Sequence, residues 1–259
     1  MRFSFRRDLA LGRFVPLDTP IHRLDPRTKL IAFAAILVVL FATPPRTAFF
    51  AVILLAAACG LARIPGRLLV SSLRSLIWVF AITFLYQMLW AGPRHLGGFT
   101  EGAEVGVHMV MRLLGMVLSV TLLMFTTEPL RLADGLGRLF GFLEYVRIPV
   151  RDLTLVLTLA LRFLPTVMEE AERIVNAQRA RGARFEGDLL ARARALLPLA
   201  VPLFASCLRR ADTLAMAMTA RGYRPGVVRT QMEPLLFARR DALVITGILM
   251  LLAVSLVRL

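Results

Sequence analysis

Five apolar runs, residues 30–42, 48–62, 76–91, 105–127 and 242–257, are divided by stretches that carry arginine. In hydrocarbon a backbone must satisfy its own polar groups, and continuous apolar runs do so as helices. The pattern predicts an all-α integral membrane protein with about five transmembrane helices. A hydrophobic share of 58% is too high for an ordinary soluble domain and excludes disorder. The only cysteines, Cys59 and Cys207, sit inside apolar stretches, so there is no disulfide scaffold.

The first two runs flank Thr43-Pro44-Pro45-Arg46-Thr47, whose prolines lack the donors needed to continue a helix. A tight helical hairpin is expected. Each arm is short against the ~20 residues that cross ~30 Å of hydrocarbon, so flanking residues or a thinned membrane must make up the length. Arg63, Arg67 and Arg74 mark a polar stretch, and residues 76–91 carry Trp78, Tyr86 and Trp90, suited to an interface. Residues 92–104 read as a glycine-rich loop. Run 105–127 is long enough to span and holds His108 and Arg112 near its start.

Residues 128–241 contain 18 arginines and 12 acids with apolar residues at helical spacing, the composition of helices on or under a membrane. Within them, 129–145 read as a short amphipathic helix offering Leu130, Leu136, Leu139, Phe140 and Leu143 to the bilayer edge or a neighbour. The organisation is therefore 1–127, a polar N-terminal arm and four membrane segments; 128–241, a cytoplasmic and interfacial region; and 242–259, a last membrane helix.

Orientation follows from charge. Residues 1–29, 63–74 and 128–241 carry +4, +3 and +6, while the alternate loops 43–47 and 92–104 carry +1 and −1. Basic residues concentrate on the cytoplasmic side, so the N-terminus and the long central region are expected inside. Residues 1–28 have no apolar core of signal-peptide length and read as a retained arm.

Lys29 is the only lysine and precedes Leu30, so the chain has no P-loop, which needs a lysine followed by a hydroxyl residue. Any nucleotide-driven work must use a partner's ATPase site.

Residues 171–182 and 211–222 repeat at an offset of 40. Ala171/Ala211, Glu172/Asp212, Ile174/Leu214, Ala177/Ala217, Ala180/Ala220, Arg181/Arg221 and Gly182/Gly222 agree in identity or type. The pattern is a helix terminus built twice: an alanine-rich last turn, an arginine at the negative end of the dipole, and a glycine able to turn left-handed. Ile174, Ala177 and Arg181 share one face, as do Leu214, Ala217 and Arg221, so each end offers a guanidinium suited to a partner's carboxylate. Pro165 and Pro202 lie upstream and predict bends. Two long bent helices are expected, roughly 150–181 and 188–221, each up to ~48 Å long and joined by 182–187. Against this stands the plainer reading that arginine and glycine finish many helices; the duplication with its matching upstream pattern argues for more.

At these residues the sequence resembles the transmembrane T component of energy-coupling factor (ECF) transporters, bacterial vitamin and transition-metal importers of the ATP-binding-cassette class. Residues 18–30, Asp18-Thr19-Pro20-Ile21-His22-Arg23-Leu24-Asp25-Pro26-Arg27-Thr28-Lys29-Leu30, look like that family's opening segment, and Leu161-Arg162-Phe163-Leu164-Pro165 looks like the start of its first coupling helix. The resemblance implies that Ala180-Arg181-Gly182 and Ala220-Arg221-Gly222 dock two cytoplasmic ATPases. In this reading Ala177, Ala217, Glu172, Asp212, Pro165 and Pro202 support the coupling helices, and the membrane helices cradle a separate substrate-binding S component. It also implies an inner-membrane location, no catalysis and no cofactor in this chain, and a substrate chosen by the S component.

Other candidates read less sharply. His22, His95 and His108 lack further ligands at metal spacing, so no metal site is expected, and His22 reads as a local hydrogen-bonding residue. Arg112 could face the S component or snorkel to the outer interface. Met109, Met111, Met116 and Met124 read as packing. Gly135-Leu136-Gly137 with Gly141 lacks the strand and spacing of a dinucleotide loop. Hydropathy argues against nucleic acid as the partner. The alternatives are an ABC permease with its own substrate path and a membrane-embedded enzyme, for which the scattered acids are poorly placed.

Overall fold

A computed structural model describes residues 17–42, 45–91, 98–183, 189–224, 226–227 and 237–257. Among them the regular structure is entirely helical: α1 Pro26–Ala42, α2 Pro45–Leu61, α3 Gly66–Ser75, α4 Ile77–Ala91, α5 Gly98–Thr126, α6 Pro129–Leu139, a 3-10 turn Phe140–Val146, α7 Val150–Ala180, α8 Leu189–Ala220 and α9 Arg239–Val257. Two compact units form. One holds α1 to α6 and α9, and the other holds the 3-10 turn, α7 and α8.

In the first unit the starts of the helices follow local chemistry. Asp25 caps α1 by accepting the Arg27 N–H at 2.8 Å, and Pro26 and Pro45 sit at first helical positions, where a missing N–H costs nothing. α1 ends at Ala42 and α2 begins at Pro45, so Pro45 to Thr47 of the expected break are the first residues of α2, while 43–44 lie outside the described residues. The long α5 packs against α1, α2, α3 and α4, and α1 also packs against α6 and α9. Val39 and Leu40 of α1, Ala51, Val52, Leu55 and Cys59 of α2, and Leu118 and Phe125 of α5 form the buried core. A Cβ built on Gly115 of α5 would lie 2.8 Å from the Leu40 Cδ2 and 3.2 Å from the Val52 Cγ2, so this glycine sets how closely α5 nests against its neighbours.

Two expectations change. Residues 98–104, read as loop, are the first turns of α5, while 92–97 lie outside the described residues. Just beyond residue 104, Gly106 lies close against α4, where a Cβ built on it would meet the Phe84 Cδ2 at 3.0 Å. The polar stretch 63–74 contains an amphipathic helix, α3, entered through a left-handed Arg63 with φ of 52°. The segment 129–145 is helical as expected, but its α-helix ends at Leu139 and tightens into the 3-10 turn.

By length and composition one helix, Gly102–Thr126, can cross a membrane alone among the described residues. Gly66–Ser75 and Ile77–Leu89, bent by 50°, are a second candidate if the pair is one span. α1 and α2 have 17 residues each, α4 has 15 and α9 has 19. Phe41, Phe50, Leu61, Trp78, Ile82 and Leu243 are nevertheless exposed on these helices, an apolar surface that water would not tolerate.

In the second unit α7 and α8 pack against each other, and the 3-10 turn packs against α7. α7 runs uninterrupted through Pro165, and α8 through Pro198 and Pro202.

Candidate functional site at two matched helix ends

The last turns of α7 and α8 close in the same way. In α7 the Arg181 N–H points back to the Ala177 and Gln178 carbonyls. The Gly182 N–H then reaches the Arg179 oxygen at 2.9 Å, and the Ala183 N–H reaches the Gln178 oxygen at 3.0 Å. In α8 the Arg221 N–H points to Ala217 and Met218, the Gly222 N–H to Thr219 at 2.9 Å, and the Tyr223 N–H to Met218 at 2.9 Å. This pair of crossed bonds is the Schellman closure, which needs a left-handed residue just past the helix. Gly182 and Gly222 supply it, with φ of 86° and 79°.

The closure uses main-chain groups alone, so it leaves the side chains free to face outward. Ala177, Ala180 and Arg181 are exposed, as are Ala217, Ala220 and Arg221, while Ile174 and Leu214 on the same faces are half-buried. The ion pairs found among the described residues, Arg23–Asp18, Arg131–Glu128, Arg151–Glu144 and Arg173–Glu170, include neither Arg181 nor Arg221. Each exposed cation also stands where the helix dipole is negative, which favours it there and concentrates donors at one tip. An open hollow of about 360 Å³ lies beside the second tip, lined by Met218, Arg221, Gly222, Tyr223, Arg224 and Val227.

The remaining residues expected to support these helices lie along them. Glu172 is half-buried on α7 and Asp212 exposed on α8; Pro165 is exposed and Pro202 half-buried.

A buried polar junction in the other unit was missed by sequence reasoning. Asp241, 1% exposed at the start of α9, accepts from the Asp25 N–H and from the Ala238 N–H, each at 2.9 Å. The Lys29 ammonium donates to the carbonyl oxygens of Thr126 at 2.8 Å and His22 at 3.3 Å. His22 in turn shares a 2.6 Å hydrogen bond with the Thr19 hydroxyl, the local role its sequence context suggested. Arg23 grips Asp18 with two bonds of 2.6 Å, and the Arg27 guanidinium lies 5.5 Å from the Phe237 ring centroid. The opening segment 18–30 thus ties α1 to the end of α5 and the start of α9. A lone lysine and an Asp-Pro pair were the available signals.

Comparison with known proteins matches the sequence of this chain to one family. The profile described as cobalt transport protein covers residues 18–233, which take in both helix ends. The chain is 39% identical over 253 residues to the energy-coupling factor transporter transmembrane protein EcfT of Thermosediminibacter oceani, covering 94% of this chain and 96% of that one. It is 41% identical over 244 residues to the EcfT of Heliobacterium modesticaldum, with 91% of each covered. The EcfT of Bacillus subtilis is 38% identical over 254 residues, covering 95% of this chain and 96% of that one. On this similarity over nearly its whole length, the chain belongs to the CbiQ family of cobalt transport proteins.

Proposed function

We propose that this chain is the transmembrane coupling (T) component of an energy-coupling factor importer in a bacterial inner membrane. Its relatives carry that component's name, and the observation that supports a coupling role is the pair of exposed arginines, each set on a Schellman-closed helix end. In this reading Ala180-Arg181-Gly182 and Ala220-Arg221-Gly222 enter two partner ATPases, each guanidinium meeting a carboxylate, and ATP is hydrolysed there. The bundle crosses the membrane about five times with its N-terminus and residues 128–241 inside, the orientation its arginine distribution favours. Its exposed apolar helices face lipid and a substrate-binding S component, which selects a vitamin or a transition-metal ion.

Coupling is mechanical. ATP-driven closure of the ATPase pair displaces the two docked ends, and helices as long as α7 and α8, at 31 and 32 residues, carry that displacement to the bundle. Prolines within both helices are points at which such levers bend.

The test is co-purification. A tagged full-length chain, co-expressed with its candidate ATPases and a small membrane substrate-binder, is expected to bring down both. Recovery of ATPases without any substrate-binder would favour a permease with its own path. Unchanged ATPase recovery and transport in the Arg181→Ala/Arg221→Ala double variant would refute the docking assignment.

A further inference from the structure

We propose that the 3-10 turn Phe140–Val146 is a membrane-interface anchor, its aromatic face seated among the headgroups and upper acyl chains of an anionic leaflet. Phe142 is 63%, Tyr145 93% and Val146 71% exposed, and Phe140 is exposed beside them, its ring centroid 6.5 Å from that of Phe142. Water would leave these large apolar side chains wet. The hydrocarbon core is no better, because it penalises the tyrosine hydroxyl and the neighbouring Arg147 cation. The headgroup region accepts both, which is why rings with polar tips collect there.

Charge names the leaflet. Between positions 140 and 152 Arg147 and Arg151 stand with Glu144 and Asp152, so pairing and exposure decide which charge faces outward. Glu144 is paired with Arg151 at 2.9 Å, and Arg147 is exposed in a left-handed conformation with φ of 62°. The exposed charge of the turn is therefore the Arg147 cation, complementary to anionic headgroups.

The patch is built firmly. The Arg147 N–H bonds the Glu144 oxygen at 3.0 Å and the Ile148 N–H bonds Leu143 at 3.3 Å, closing the turn. The Arg151–Glu144 pair fastens it to the first turn of α7. An anchor here would hold the root of α7 at the bilayer surface while its far end, at Arg181, stays free to move.

The inference rests on the membrane reading above, and the experiment separates the two. Nitroxide labels are placed by Phe142→Cys and Tyr145→Cys in a Cys207→Ala full-length background, Cys59 being buried. Ile82→Cys on α4 and Asn176→Cys on α7, both exposed, serve as references for lipid and water. In nanodiscs of phosphatidylglycerol and phosphatidylethanolamine, the ratio of oxygen to nickel-chelate collision rates at 142 and 145 is expected between the two references. It should fall toward the aqueous value in phosphatidylcholine discs or with Arg147→Gln. Ratios equal to that at 176 overturn the anchor, as does exclusion of both colliders, which would mean a protein partner covers the turn. Ratios indifferent to lipid charge overturn the anionic assignment. An aqueous value at Ile82 as well would bring down the membrane reading itself.

Discussion

The Lys29 ammonium donates to the carbonyl oxygen of Thr126, the last residue of α5, across 97 positions of the chain. The bond caps the negative end of the longest helix in the bundle unit with the chain's only lysine. Lys29 sits just ahead of the apolar run that begins at Leu30. Burial, followed by the Arg131 cation, pulls its pKa down to about 8, against the attraction of Asp241 and Asp25.

Because that pKa falls below the unfolded value of 10.5, the unfolded chain binds this proton more tightly. The linked destabilisation is fully present below pH 8 and disappears as pH rises toward 10.5, on the order of 3 kcal/mol in all. Thermal unfolding in detergent should show the wild-type midpoint rising across that window relative to a Lys29→Met variant. Parallel curves for the two proteins would show that the ammonium is not buried.

Asp241→Ala leaves the Asp25 and Ala238 N–H groups without their acceptor in a buried site, at a cost of ~1 to 3 kcal/mol for each. Asp241→Asn keeps one carbonyl oxygen and should fall between the alanine variant and wild type. Detergent melting temperatures in that order would support the junction; equal values for all three would not.

Gly115→Ala forces a methyl to 2.8 Å from the fully buried Leu40 and should destabilise the bundle by ~1 to 3 kcal/mol. Gly60→Ala meets nothing within 4 Å and removes a flexible residue from helix α2, which should stabilise by ~0.5 to 1 kcal/mol. The same melting assay reads both, and the prediction is the opposite sign.

Arg181→Ala and Arg221→Ala should each weaken ATPase docking by ~2 to 5 kcal/mol if the ion pair formed is desolvated, and leave helix closure intact, since the closure is main-chain. Gly222→Ala works the other way. Its side chain has open space, but φ of 79° costs a non-glycine residue ~1 to 2 kcal/mol, so the tip should deform while Arg221 remains. Pull-down titration against the ATPases checks all three. Full affinity in Gly222→Ala would mean the turn does not position the arginine.

How much of this was legible depended on distance along the chain. The twin ends were readable because alanine, arginine and glycine act within one turn, and the repeat displayed the pattern twice. The limits of α7 and α8 fell within a residue or two of expectation for the same reason. The Asp25–Asp241 bond joins positions 216 apart, and no periodicity selects such a partner. α3 was hidden because Arg67 and Arg74 made a short amphipathic helix look like a polar connection. Residues 98–104 were misread because Gly98 and Gly102 among polar neighbours resemble a loop, although they continue the helix whose apolar run begins at 105.

The two Schellman closures differ at the residue just beyond the glycine, Ala183 in one and Tyr223 in the other. One mould has been cast twice with unlike rims: a methyl on the first, a phenol beside a hollow on the second. In the docking reading proposed above, a receiving groove duplicated without change would meet two different shapes and hold them unequally.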